Sequence, residues 1–177
     1  GAAPAIDPKK MTTSTNVTNE QLQEIPSSRD PWVVLQTVPG IIVDRVNVGG
    51  AESGQQSNYQ AKGSSGGNNT WSIDGIAITD MAALGSSPTY YDFDMFQEMN
   101  VTTGGADLTS ATAGVGLNFV LKSGTNTPRG SGRVFYENES MQGTNLPDEL
   151  ADSLGGESGK GNRMDEYTDY GAEVGGP

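Results

Sequence analysis

The large apolar residues of this chain occur in short runs, and most of its 25 glycines lie between those runs. The runs cover residues 32–48, 71–78, 93–101 and 115–121. Each run has room for only one or two short elements, because a typical strand takes about five to six residues. We therefore expect an irregular domain of several small elements, completed by packing against something else.

Composition limits the core that such a domain can build. Leu, Ile, Val and Phe number 9, 7, 12 and 4, about 18% of the 177 residues, and the formal net charge is -12. These values fall on the disordered side of the usual compositional threshold. The chain begins at Gly1, so we expect a processed or engineered piece.

Residue usage also removes several classes of function. The chain has no cysteine and no histidine, which excludes thiolate sites, disulfides and histidine-based catalytic or metal sites. Asp92 and Asp94 could form a catalytic carboxylate pair, but a capped helix start is the commoner explanation. We predict no catalytic residues, no metal, no cofactor and no enzyme activity.

Net charge and hydropathy argue against two features, a nucleic-acid partner and a membrane helix. The chain carries 22 acidic and 10 basic residues, which argues against a nucleic-acid groove. It has no run of about 18 apolar residues, so no membrane helix is predicted.

The strongest local signal is the stretch TWSIDGIAIT at residues 70–79. Two short apolar runs meet there at Asp74 and Gly75, a pair that tolerates the positive φ angles of a tight hairpin turn. The stretch GVGLNFVLK, residues 114–122, alternates Val115, Leu117, Phe119 and Leu121 on one face of a strand. We predict that this strand pairs with the hairpin region.

The remaining elements are short, and the fold class is α+β. Asp30 followed by Pro31 predicts a capped helix that ends before Pro39 and Gly40. Other predicted helical pieces are 19–25, 92–97 and 106–113, and other predicted strands are 41–43, 46–48, 58–62 and 99–103.

The chain changes character from Arg129 onward. RGSGRVFYENE and DEYTDYGAEVGGP are strand-like, and an acidic, loop-like segment at 141–162 separates them. An isolated two-stranded hairpin is marginal in water. We expect residues 129–177 to lack partners within the chain and to be disordered or ordered by strand addition between copies, without forming a closed hairpin packed on the rest of the chain.

The order of these motifs resembles a known family. DPWVVLQTVPGIIVDR, YQAKG, TWSIDGIAITD, MFQEMNVTTGGAD and AGVGLNFVLKSGTN occur in the order found in the plug domain of TonB-dependent outer-membrane receptors. The resemblance runs from about Asp7 to Pro177 and is greatest to the Oar-like branch, whose members carry a carboxypeptidase-regulatory-like domain ahead of the plug.

The resemblance implies an architecture and a location. Residues 1–29 would be an extended lead-in, residues 30–128 a small irregular plug, and residues 129–177 the first strands of a truncated β-barrel of about 22 strands. The implied partners are the protein's own missing barrel and TonB, which would bind a segment upstream of this chain. The implied location is the bacterial outer membrane.

The resemblance also implies a gating function and candidate contacts. The substrate-facing loops would be Gly49–Asn58 and Asp80–Tyr91, and the substrate a small polar, glycan or peptide molecule. The expected contact residues are Gln55, Gln56, Asn58, Tyr90 and Tyr91.

Two alternatives remain open. One is an extracellular or cell-surface structural fragment that forms homo-oligomers through exposed strand edges. The other is a carbohydrate-binding β-module.

Overall fold

The structure, a computed structural model, describes residues 13–24, 29–44, 56–61, 63–104, 113–143, 147–153 and 164–177. The chain divides into two compact units, one of Gly1–Val48 and Ser53–Lys122, the other of Gly49–Glu52 and Ser123–Pro177. The predicted strand at 46–48 and nearly all of the predicted turn at 106–113 lie outside the described residues. No helix within the described residues has the length and apolar character needed to cross a membrane.

A five-stranded sheet forms the centre of the first unit. Its neighbouring strands, in spatial order, are β1 (Thr13–Thr18), β6 (Phe96–Gly104), β7 (Gly116–Leu121), β4 (Thr70–Ile73) and β5 (Ile76–Ala77). A separate antiparallel pair joins β2 (Ile41–Val43) to β3 (Tyr59–Ala61). Together with the short helices, this arrangement confirms the predicted α+β class.

The predicted contact between β7 and the hairpin region is confirmed. β4 and β7 run parallel, with Trp71 opposite Leu117 and Ile73 opposite Phe119. β6 lies antiparallel on the other side of β7. β7 is therefore the central strand of the sheet, and its alternating buried residues face the core.

The hairpin turn has the geometry that the Asp-Gly pair predicts. Asp74 has φ 48° and Gly75 has φ 80°, so both central residues lie at positive φ, as a type I′ turn requires. The Gly75 N–H donates to the side-chain oxygen of Asn118 at 2.8 Å, and the Leu121 N–H donates to Asp74 Oδ1 at 3.1 Å. The turn is thus fixed to β7 by its own backbone and side chain.

The predicted extended lead-in at residues 1–29 contains a strand, β1, that the sequence pattern does not predict. β1 pairs antiparallel with β6 and places Val17 opposite Met99, where the valine is buried. The next element, α1 (Asn19–Glu24), confirms the predicted short helix. Thr18 and Gln21 bond reciprocally at its start, which is a capping box.

The start of β6 differs from the expectation. A helix is predicted over 92–97, but the structure has only a 3₁₀ turn at Phe93–Met95 and β6 begins at Phe96. The pairing with β7 shifts between Phe96 and Glu98, which marks a β-bulge. The extra residue brings Phe96 and Met99 to the same buried face.

The predicted helix after Asp30 is α2 (Pro31–Leu35). The Asp30 carboxylate accepts a hydrogen bond from the Val33 N–H at 2.9 Å and so caps the helix as predicted. All five helical residues are buried. This short helix is therefore part of the core of the first unit.

The second unit corrects the expectation for the tail. β8 (Arg129–Asn138) and β9 (Glu166–Gly175) pair with each other in an antiparallel register from Arg129 opposite Gly175 to Asn138 opposite Glu166. The expectation that this segment lacks partners within the chain is therefore wrong. A short helix, α3 (Asp148–Ser153), also interrupts the segment predicted as loop-like.

Replacing Gly75 with valine should lower the free energy of unfolding by more than about 1 kcal/mol, because a β-branched residue is strained at positive φ. No neighbouring atom lies within 4 Å of an added Cβ, so a steric collision would not explain the loss. Asparagine tolerates this backbone region, so Gly75→Asn is the matched control and should lose less. Chemical denaturation of the three proteins measures the difference, and equal stabilities would contradict the turn assignment.

Candidate functional site

A recess of about 150 Å³ lies in the first unit where three loop segments meet. We call it the loop recess. It is lined by residues 56–59, 66, 67, 69 and 84–86 together with Trp32 and Trp71. Helix α2 supplies Trp32, β3 supplies Tyr59 and β4 supplies Trp71. Regular elements therefore position its aromatic walls, and loops form its rim.

The aromatic walls are held through Trp71. Its ring centroid lies 5.8 Å from that of Trp32 and 5.8 Å from that of Tyr59. Its indole N–H donates to the carbonyl oxygen of Gly85 at 3.0 Å. Trp71 thus fixes both other rings and the loop that closes the recess.

The rim consists of uncharged polar groups. Gln56 donates from Nε2 to the carbonyl oxygen of Ser87 at 3.0 Å, which joins the segment before β3 to the loop at 80–91. Asn58 donates from its backbone N–H and from Nδ2 to the two carboxylate oxygens of Asp44, at 3.0 and 2.7 Å. The positions of both side chains are therefore set by neighbouring loops.

A buried asparagine side chain supports the loops that form the rim. Asn69 donates from Nδ2 to the Tyr59 carbonyl oxygen at 2.8 Å and accepts at Oδ1 from the Val115 N–H at 3.0 Å. It therefore joins β3 to the residue before β7. A buried amide with both ends bonded stabilises one arrangement of these loops.

The loop at 80–91 has its own internal support. Asp80 Oδ1 accepts from the N–H groups of Ala82 and Ala83 at 2.7 and 3.1 Å, and these bonds lower the pKa of Asp80. Gly85 has φ 81° and packs directly against the backbone of Gly66 and Gly67. Only glycine meets both requirements, the positive φ and the close approach.

Within the described part of the chain, two buried aromatic side chains each have a polar atom without a hydrogen-bond partner: Trp32 Nε1 and the Tyr59 hydroxyl oxygen. Both side chains are almost fully buried, with exposed fractions of 2% and 3%. Burial, reinforced by the nearby Tyr91, raises the pKa of Tyr59 far above its ordinary value, so the hydroxyl stays neutral. Unpaired buried polar groups are rare in folded proteins.

The structure brings some of the predicted contact residues together. Gln56 and Asn58 line the recess, and the exposed Tyr90 ring packs edge-on against Trp32 at 5.9 Å between centroids. Tyr91 is half-buried, with its ring against Phe119 and Phe96 and its hydroxyl 2.5 Å from Ser87 Oγ. Gln55 lies outside the described residues.

Sequence reasoning missed Trp32, Tyr59, Asn69 and Gly85 as site residues. Trp32 lies in the first apolar run and Tyr59 in the short strand predicted at 58–62, and the sequence indicates only these local elements for them. Asn69 and Gly85 belong to polar loops whose mutual contact has no local signal. The hint in the sequence is that two loops carry glycine, Gly85 in one and Gly66 and Gly67 in the other.

The chemistry available here is binding. Among the residues that the structure describes, no group of three or more His, Cys, Asp or Glu side chains is placed to hold a metal ion. The described lining residues include no Lys, Arg, Asp or Glu. The described lining offers amides and hydroxyls that can form hydrogen bonds with a ligand.

Comparison with known proteins relates this fold to one family. A family model described as TonB-dependent Receptor Plug Domain matches residues 7–116. A comparison with curated proteins finds no match.

Three solved structures illustrate the fold. The chain is similar to the ferric enterobactin receptor of Pseudomonas aeruginosa, with a TM-score of 0.53 and 20% identity, covering 71% of the chain and 19% of the receptor. For the siderophore receptor PirA of Acinetobacter baumannii the values are 0.54, 21%, 72% and 20%. For the pyoverdine outer membrane receptor FpvA of Pseudomonas aeruginosa they are 0.54, 21%, 73% and 18%. The chain thus spans about a fifth of the length of these receptors.

Gly85→Ala should lower the free energy of unfolding by more than about 1 kcal/mol and separate the two loops. An added Cβ would overlap the Gly66 carbonyl oxygen and lie 2.8 Å from the Gly67 Cα. Gly67→Ala is the matched control across the same contact, because its nearest neighbour would be 3.8 Å away. Denaturation curves compare the two variants, and an equal loss in both would contradict the close-approach argument.

Tyr59→Phe should raise the free energy of unfolding by about 1 kcal/mol, because it removes a buried hydroxyl that has no partner within the described ranges. Folding raises the pKa of Tyr59, so above its ordinary pKa of 10.0 the unfolded chain loses this proton while the folded chain keeps it. The free energy of unfolding therefore falls as the pH rises above 10.0. Above pH 10 the unchanged protein should therefore lose stability more steeply than the variant. Unfolding measured between pH 8 and about 11.5 tests both statements, and a destabilised variant at pH 8 would contradict the first.

Proposed function

Because the chain belongs to the TonB-dependent receptor plug domain family, we propose that it is the plug of a bacterial outer-membrane transporter that gates energy-coupled uptake of a substrate. The observation that carries the proposal is the family match over residues 7–116, which coincides with a unit that has the fold of receptor plugs. No bond is broken in the proposed cycle, so the domain is not an enzyme.

In the proposed cycle the plug blocks the lumen of a β-barrel. Substrate binding at the outward-facing loops favours release of the N-terminal segment, and TonB pulls on that segment to open a path. The partners are the protein's own barrel and TonB, which binds upstream of residue 1. Enclosure by a barrel would also explain how a domain with few large apolar residues stays folded.

The position of β1 suits a pulled segment. It is an edge strand of the sheet and is bonded to β6 alone among the described strands. Outside the ladder, Asn16 donates to Glu98 Oε2 at 3.1 Å and Asn19 donates to the Phe96 carbonyl oxygen at 2.9 Å. A force applied at the N-terminus would therefore meet β1 first and leave β6, β7 and β4 paired.

We propose that the substrate meets the plug at the loop recess and the loops around it. Gln56 and Asn58 would contact it from the rim, and Tyr90 from above Trp32. Gln55 is proposed by its place beside Gln56, and Tyr91 by its place in the same loop as Tyr90. These groups suit a small polar, glycan or peptide substrate.

Residues 129–177 are proposed to be the first barrel strands, after a lead-in at 1–29 and the plug at 30–128. The β8–β9 hairpin has one apolar face, which carries Val134, Tyr136, Tyr170, Ala172 and Val174 by their shared register. The opposite face carries an ion pair between Arg133 and Asp169 at 3.6 Å and a hydrogen bond from Ser131 to Glu173 at 3.1 Å. Alternation of apolar and polar faces is typical of strands in a membrane barrel.

Within the family, we propose that the chain belongs to the Oar-like branch, whose members carry a carboxypeptidase-regulatory-like domain ahead of the plug. Its support is the ordered set of motifs from DPWVVLQTVPGIIVDR to AGVGLNFVLKSGTN. The stretch YGAEVGGP at residues 170–177 also resembles the point where the second barrel strand of that branch begins. The complete reading frame on both sides of this chain tests that assignment.

The exposed face of the hairpin also favours a second candidate function, self-assembly of a cell-surface or extracellular fragment. Val174 and Tyr170 are 92% and 77% exposed on that face. Exposed apolar strands recruit other chains. Light scattering of the full chain and of a chain ending at Pro128 tests it, and homo-oligomers that disappear on truncation would support this second function.

The chain has no cysteine, so one engineered disulfide can test the pulling mechanism without ambiguity. Asn16 lies opposite Asn100 across β1 and β6, and Asn100 lies opposite Asn118 across β6 and β7. In the complete receptor, the pair Asn16→Cys and Asn100→Cys should abolish TonB-dependent uptake when oxidised and restore it on reduction. The single variant Asn16→Cys is the control and should transport under both conditions.

A disulfide between Asn100→Cys and Asn118→Cys cross-links β6 to β7. It distinguishes extraction of β1 alone from a mechanism in which β6 and β7 also separate. It leaves β1 free, so uptake should continue if only the N-terminal edge is extracted. Uptake that persists with β1 cross-linked would contradict the proposed role of β1.

A further inference from the structure

The loop at 80–91 presents a run of apolar side chains at its surface. Residues 81–84, with the sequence MAAL, are all exposed, and we call them the loop tip. Met81 and Leu84 are 94% and 72% exposed. Single exposed apolar residues are common in proteins, but a run of four is unfavourable in water unless it has a function. Exposed apolar patches of this kind mark contact surfaces.

Hydrogen bonds within the loop hold the loop tip in place. The Asp80 N–H donates to the Ser86 carbonyl oxygen at 3.1 Å, and the Ser86 N–H donates to the Ala83 carbonyl oxygen at 3.0 Å. Asp80 Oδ1 also accepts two bonds from backbone N–H groups of the tip. Behind the tip, the Trp71 indole N–H donates to Gly85. A loop that is already ordered loses little conformational entropy when it binds a partner.

The sequence around the loop tip supplies no positive charge. Residues 81–91 carry no charged side chain, and the two residues that flank them, Asp80 and Asp92, are acidic. The longer stretch 63–121 contains further acidic residues but no Lys or Arg. An anionic ligand would find no opposite charge in this stretch, whereas a neutral or basic ligand would not be repelled.

The side chains beside the loop tip favour a peptide over a sugar. Leu84 lines the loop recess together with the amide residues Gln56 and Asn58. Amide side chains can form hydrogen bonds with a peptide backbone, and aliphatic side chains can pack against apolar side chains. A sugar would gain less from the tip, because its hydroxyls would lose water against aliphatic groups without gaining hydrogen bonds.

We infer that the loop tip binds the apolar side chains of a peptide that has no acidic residues. Met81 and Leu84 pack against those side chains, and the amides of the recess rim bond to the peptide backbone. Methionine adapts to partners of different shape, so several apolar side chains are expected to bind. That such a peptide is the transported substrate rests on the proposed function, but its binding to the tip does not.

The methionine methyl groups allow the loop tip to be followed directly, because the chain has six methionines. The full chain is labelled with ¹³C at these methyl groups and titrated with acetyl-Gly-Leu-Phe-Leu-Gly-amide. The Met81 signal, assigned with Met81→Leu, should shift in a saturable way. The signal of Met99, which is 1% exposed, should not move. A Met81 signal that does not shift would overturn the inference.

A pair of charged peptides tests the electrostatic part of the inference. Acetyl-Lys-Leu-Phe-Leu-Lys-amide should bind at least as tightly as the neutral peptide at low salt, because the chain has a net charge of -12. Acetyl-Asp-Leu-Phe-Leu-Asp-amide should bind more weakly than either. Tightest binding of the acidic peptide would contradict the proposed ligand class.

The double variant Met81→Ser and Leu84→Ser is the decisive one. Both side chains are exposed, so the fold should persist, while peptide affinity should fall at least about tenfold. Affinity is measured through the ring signals of the peptide's own phenylalanine. Val174→Ser in β9 is the matched control, because Val174 is also apolar and 92% exposed, and it should leave the affinity unchanged. Equal affinity in the double variant, or an equal loss in the control, would overturn the inference.

Three further results would also overturn it. Tighter binding of methyl glucoside than of the neutral peptide would identify the ligand as a sugar. A Met81 shift with phosphatidylcholine vesicles but with no peptide would identify it as a lipid surface. A Met81 shift that depends on protein concentration, and not on peptide, would show that the tip contacts a second copy of the chain.

Transport of the same peptides is measured separately in the complete receptor. Peptide binding at the tip without any TonB-dependent uptake would refute the proposed function and leave the inference standing. TonB-dependent uptake of another substrate without peptide binding would refute the inference alone.

Discussion

The packing of Trp71 is the interaction on which the first unit depends. Its ring lies within 5.8 Å, between centroids, of Trp32, Tyr59 and Phe119, which belong to α2, β3 and β7. Its indole N–H also holds the loop at 80–91 through Gly85. Aromatic pairs of this kind contribute beyond their buried area, which matters in a chain with few large aliphatic residues. One side chain therefore joins the sheet, the helix and the loops.

The same packing couples stability to binding. Trp32 and Tyr59 are core residues by burial and also line the recess, and each has one polar atom without a partner among the residues that the structure describes. A core selected for stability alone would have apolar rings at these two places, because buried unpaired groups are costly.

The two units differ in how far they bury their apolar residues. The first buries its apolar residues on one side of a five-stranded sheet and satisfies its loops through Asn69, Asp80 and Gly85. The second is a two-stranded hairpin whose apolar face stays exposed within the described chain. A two-stranded sheet gains too little from burial to be stable alone. In a membrane barrel that apolar face would lie against lipid, which agrees with the proposed place of the hairpin as the first barrel strands.

Local chemistry in the sequence determined the Asp30 cap, the Asp74–Gly75 turn and the alternating strand β7, because each depends on residues within a few positions of one another. The family resemblance, and not local chemistry, supplied Gln56, Asn58 and Tyr90 as expected contacts, and their role in binding stays a prediction. Only the tertiary structure decided that β1 joins the sheet, that a bulge brings Phe96 and Met99 to one face, and that Gly85 packs on Gly66. It alone identified Trp32 and Tyr59 as site residues, since an unpaired hydrogen-bonding group is defined by what surrounds it in space, and that information is absent from any local pattern.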